Sequence, residues 1–69
     1  MSYIIIFDIK KEKASLRVKV NRLLNKMKAK MVQDSVWESD NLSGLKSIYQ
    51  IIRSNGGKAI IFDKKHALK

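Results

Sequence analysis

Asp8 closes the apolar run Tyr3-Ile4-Ile5-Ile6-Phe7 and is followed at once by a lysine-rich stretch. A carboxylate at the end of a buried strand must meet water, a cation or a partner, which makes Asp8 the leading active-site candidate. Two plainer roles stand beside that one: capping the helix that follows, or pairing with Lys10 or Lys11. A second group of side chains suits anions. Lys19, Arg22, Lys26 and Lys30 recur at helical spacing, and of the ten charged residues from Lys10 to Lys30 only Glu12 is acidic. Such a run is either a track for a phosphate backbone or a solvated helix face. Asp34 and Ser35 form a third candidate, able to line a phosphate site or simply to make a turn.

The elements that position these residues follow from periodicity. Residues 3 to 9 read as a strand, apolar on both faces rather than alternating. From Glu12 to Lys30, Leu16, Val20, Leu23, Leu24, Met27 and Met31 trace one face of a helix. Val32-Gln33-Asp34-Ser35-Val36-Trp37-Glu38 is rich in strand formers but interrupted by Asp34-Ser35, so it reads as two short strands or one broken strand. Asp40 to Gly44 supply capping residue types before a second helix carrying Leu45, Ile48, Tyr49 and Ile52, which Asn55-Gly56-Gly57 ends. Lys58 to Asp63 forms the last strand, so that residues 1–63 make one domain and 64–69 a basic tail.

The order β-α-β-(β)-α-β predicts an α+β, ferredoxin-like sandwich: an antiparallel sheet with both helices on one face. The first and last strands are then antiparallel neighbours. Although Ile-Ile-Phe-Asp occurs at residues 5–8 and again at 60–63, Asp8 and Asp63 therefore belong at opposite ends of the sheet. The second strand runs parallel to the first, which brings Asp34 and Ser35 to the edge that holds Asp8. Two helices cannot cover both faces of a sheet whose strands are apolar on both sides. A second copy of the chain is the simplest lid, and a homodimer is expected.

Composition narrows the partners. Fifteen Lys+Arg against six Asp+Glu give a formal charge of +9, which favours nucleic acid, either RNA or DNA. The chain has no cysteine and one histidine, His66, which excludes disulfides, thiolate sites and imidazole clusters. Apolar runs are too short to span a membrane and no leader pattern precedes them, so a cytoplasmic protein without a membrane partner is expected. Trp37 and Tyr49 suit base stacking or a place in the core or an interface. No Gly-rich phosphate loop precedes a helix, and no serine, histidine and acid are placed for acyl chemistry.

Phe7-Asp8-Ile9 at the end of the first strand, the basic helix and the adjacent run from Val32 to Glu38 resemble the CRISPR-associated protein 2 family and, more distantly, virulence-associated protein D toxins. The likeness covers residues 3 to 63; Trp37 stands where that family usually has phenylalanine. The resemblance implies a homodimer in which the two Asp8 carboxylates face each other, hold Mg2+ or Mn2+, and support cleavage of phosphodiesters in RNA or DNA. One aspartate per chain is too few, but a symmetric pair completed by waters and phosphate oxygens suffices. It also implies a phosphate contact for Arg17 and a structural role beside a CRISPR integrase subunit. The family usually continues past the last strand with a segment that pairs with the partner's sheet. Ser35, which topology brings to the same edge, is the expected hydrogen-bond donor of the catalytic set, with a plain turn position as its alternative. Two other functions remain open: a DNA-binding scaffold without catalysis, and a toxin-like ribonuclease.

Overall fold

Tyr3–Asp8 forms β1, and its apolar residues draw the rest of the chain around it. The computed structural model describes residues 1–67, with the side chains of His66 and Ala67 outside the description. After β1 come a 3-10 turn at Lys11–Lys13, α1 at Ala14–Lys26, β2 at Lys30–Gln33 and β3 at Val36–Ser39. Then follow α2 at Leu42–Ser54, β4 at Lys58–Asp63 and a single helical turn, α3, at Lys64–Ala67. The strand order is β2-β3-β1-β4 with every neighbouring pair antiparallel, the ferredoxin-like arrangement expected.

Alternation along β1 divides the labour of its side chains. Ile5 and Phe7 join Trp37 of β3 and Ala59 of β4 in the core, where α1 contributes Leu16, Val20 and Leu24 and α2 contributes Leu45, Ile48 and Ile52. Among the described residues, neither α1 nor α2 packs over the opposite face. There Ile4, Ile6 and Asp8 share register with Val36 and Glu38 on one side and with Lys58, Ile60 and Phe62 on the other. Ile6 is 36% and Ile60 57% exposed, which leaves the apolar, lidless face that the run of isoleucines implied.

Several boundaries differ from the periodic reading, each for a local reason. The helix expected to reach Lys30 stops at Lys26, because Lys28 takes a left-handed conformation at φ 61. Ala29 N donates to Leu24 O and Lys28 N to Asn25 O, which closes the end of α1 as a Schellman motif. Lys30 and Met31 consequently open β2, and Met31 is 56% exposed rather than buried on a helix. The same motif ends α2, here with Gly56 at φ 83 in the left-handed position. Asp34-Ser35 is both a tight turn and the neighbour of an irregularity, since the β2–β3 register shifts between Met31 and Gln33. Trp37 is 3% exposed in the core, which removes it from base stacking. Its Nε1 is buried without an acceptor among the described residues, so a phenylalanine at this position forgoes no hydrogen bond to them.

An ion pair closes the far end of the open face. Lys64 Nζ donates to Glu38 Oε2 at 2.9 Å, spanning β1 from the end of β4 to β3. Ile4 lies between the two strands that the ion pair joins and is only 8% exposed although neither α1 nor α2 packs on its face. The hydrogen bond from Lys64 holds the Glu38 carboxyl below its ordinary value of 4.5, helped by the charge of Lys64, the Ser2 hydroxyl and Lys30, while desolvation opposes the shift. A depressed carboxyl stabilises the fold fully above its unfolded value, and that contribution disappears as pH falls through the folded one. Thermal unfolding followed from pH 7 to pH 3 is therefore expected to show an acid-side loss that Lys64→Met lacks. Curves that stay parallel at every pH would remove the ion pair from the acid response.

Candidate functional site

Asp8 ends β1 on the open face and is exposed. Lys58 stands opposite it in the β1–β4 ladder, and a shallow groove beside it is lined by Ile6, Phe7, Ala59 and Ile60. The plainer roles for Asp8 are not taken up. The ion pairs among the described residues are Arg17–Asp34 and Glu38–Lys64, and Asp8 belongs to neither. The residues preceding the 3-10 turn and α1 are Lys10 and Lys13, neither with a side-chain cap. A carboxylate thus projects from a rigid strand end with no partner among the described residues.

Three connections build the edge around it. Phe7 N donates to Ser35 O at 3.1 Å, which ties the Asp34-Ser35 turn to the residue before Asp8. Ser35 itself has φ 64, a left-handed conformation that costs a serine about 1 kcal/mol and fits the second central position of a turn with positive φ there. Arg17, half-buried on the first turn and a half of α1, donates from Nη2 to Ile9 O at 3.5 Å and places Nη1 3.8 Å from Asp34 Oδ1. Asp8, Arg17, Asp34 and Ser35, drawn from three separate segments of the sequence, therefore share one edge. From the other side, Gly57 lets the end of α2 approach: a Cβ there would sit 3.1 Å from Asp8 O and 2.7 Å from Ile52 Cγ2. Lys13 Nζ caps the same helix end by donating to Asn55 O.

The basic residues divide. Lys19, Arg22 and Lys26 are exposed on α1 and run away from the Asp8 edge for about 10 Å, at 1.5 Å per residue. Lys30 is not on that track, because it begins β2 and pairs in register with Glu38. Asp63 lies opposite Tyr3, at the other end of the ladder from Asp8, and its Oδ1 accepts from Lys65 N to cap α3. Tyr49 packs half-buried against the core with the Arg53 guanidinium 5.9 Å from its ring centre. Periodicity missed Lys58 and the exposed Ile60. The register that sets Asp8 against Lys58 and Ile6 against Ile60 is offset from an alignment of the two Ile-Ile-Phe-Asp segments, so the repeat itself carried no signal for it.

Among the described residues no group of three or more His, Cys, Asp or Glu could hold a metal ion, and no helix is long and apolar enough to cross a membrane. No curated protein matches the chain. A family model described as CRISPR associated protein Cas2 matches residues 1–65, which include all four strands and both long helices; with the Asp8 edge assembled on that fold, the chain belongs to the CRISPR-associated protein 2 family.

Proposed function

We propose that the protein works as a homodimer that binds nucleic acid and cleaves its phosphodiesters with a divalent metal held between two Asp8 carboxylates. One observation carries this reading: the apolar face opposite α1 and α2 ends in an exposed carboxylate that has no partner among the described residues, with Ile6 and Ile60 beside it. Covering that face with a second copy about a two-fold axis at Ile6 and Ile60 draws the two Asp8 side chains toward each other. The donor set fits Mg2+ or Mn2+, which favour carboxylate and phosphate oxygens and keep several waters. When bound, such an ion supplies an activated water and neutralises charge on the scissile phosphate.

The chain's own groups do the rest. Asp8 orients the ion through one carboxylate from each copy. Ser35, fixed beside β1, donates a hydrogen bond to a phosphate oxygen, and Arg17 presents its planar fork to the neighbouring one. Lys19, Arg22 and Lys26 hold the backbone further along α1. Membership of the family extends the proposal to partners of the CRISPR system, including an integrase subunit. A non-catalytic scaffold is the second reading, favoured by the single Asp8 per copy and the lack of any larger acidic cluster among the described residues. In that case the same dimer holds duplex DNA without cutting it.

Incubation with RNA and with DNA, with and without Mg2+ or Mn2+, is expected to yield metal-dependent cleavage that Asp8→Ala eliminates while binding persists. Cleavage that survives Asp8→Ala would sink the paired-carboxylate mechanism, and binding without cleavage under every condition selects the scaffold. Replacing Arg22 and Lys26 together by Ala should reduce the slope of log affinity against log salt by about 2 on duplex DNA, roughly 0.9 per phosphate contact. An unchanged slope would return these residues to a solvated helix face. Sedimentation of the wild type should show a dimer at micromolar concentration, and Ile60→Lys, a change at an exposed position, should leave a folded monomer. A wild-type monomer at all concentrations would remove the shared site.

A further inference from the structure

We infer that Asp34 is an internal anion that occupies Arg17 in the free protein and is displaced by a backbone phosphate, so that it sets how tightly the Asp8 edge holds nucleic acid. The inference rests on the reading of Arg17 as a phosphate contact and adds a regulator to it. Arg17 is anchored from behind, Nη2 to Ile9 O at 3.5 Å, which leaves Nη1 facing Asp34 Oδ1 at 3.8 Å. The carboxylate is 92% exposed and stands on a turn that Phe7 N and Ser35 O hold against β1. Its position is therefore set by the sheet, and it reaches Arg17 without covering it.

A carboxylate and a phosphodiester present the same pair of oxygens to a guanidinium, so both seek one fork. A solvent-exposed pair at this separation is weak and yields to a ligand that brings a row of negative charges. Part of the electrostatic gain from each engaged Arg17 is spent on displacing Asp34. The chain has six acidic residues, and among the described ones Asp34 alone is paired with an arginine. In a protein of charge +9, a carboxylate retained beside the best phosphate donor moderates retention rather than recruiting the ligand.

Binding of labelled duplex DNA and single-stranded RNA, without divalent metal and across a salt series, tests this with Asp34→Asn, Arg17→Ala, their combination and Asp40→Asn. Asparagine suits a turn as aspartate does, and melting curves check that the fold persists. Asp34→Asn is expected to bind about two- to fivefold tighter, the range corresponding to the loss of an exposed ion pair. Its salt slope should steepen by up to about 0.9. Asp40 is exposed at the opposite end of β3, so Asp40→Asn should match the wild type, and the double variant should match Arg17→Ala. Unchanged or weaker binding by Asp34→Asn, or an equal gain when Arg17 is absent, overturns the internal-anion role. If Arg17→Ala itself binds as the wild type does, the phosphate-contact reading fails and this inference falls with it. Weakened Arg17→Ala beside unchanged Asp34→Asn overturns the inference alone.

Discussion

β1 gives up both of its edges to neighbouring strands, and every other placement in the molecule follows from that. All six of its residues pair with β4 along one side and the first four, Tyr3 to Ile6, with β3 along the other, which fixes its register. Ile5, with 0% exposure, and Phe7, with 4%, must enter the core under the helices. A slip of one residue would exchange the faces and bury Asp8 among Leu and Ile side chains, a prohibitive location for an unpaired carboxylate. Core packing thereby decides which face the carboxylate occupies.

The chain then returns to the end of β1 three times. The β2–β3 turn meets it through Ser35, the first helix through Arg17, and the end of α2 through the close approach at Gly57. The first and last of these returns depend on abrupt local stops, a left-handed Ser35 and a Schellman motif at Gly56, while the motif at Lys28 turns the chain into β2. The positive charge is distributed around these stops, with Lys13 on a helix carbonyl and Arg17 on Ile9 O, so backbone dipoles and cations are satisfied together.

The fold was legible in the sequence because its strongest signals are redundant. Isoleucine runs marked both long strands, i, i+4 and i+8 spacing at Leu16, Val20 and Leu24 marked α1, and Asn55-Gly56-Gly57 marked the end of α2. The end of α1 was illegible, since lysine is not a residue type that advertises a left-handed cap, and the apolar spacing ran on into Met31. Of the site, Asp8, Asp34 and Ser35 could be named from strand ends and topology, and Arg17 only from the family resemblance. That Arg17 meets Asp34 could not, because side-chain reach across a half-buried edge depends on helix rotation, which periodicity leaves loose. Lys58 was hidden for a related reason: register across a ladder depends on where both strands end.

The Glu38–Lys64 strap makes the open face directional. At one end a visiting surface meets an ion pair lying across Ile4, and must either stand off from it or break it. At the other it meets bare isoleucine. Attraction is thus graded along the length of β1, and two surfaces of equal area but reversed orientation are not equivalent to it. A face that would otherwise be an indifferent oily plate has a compass built into it, and its needle points toward Asp8.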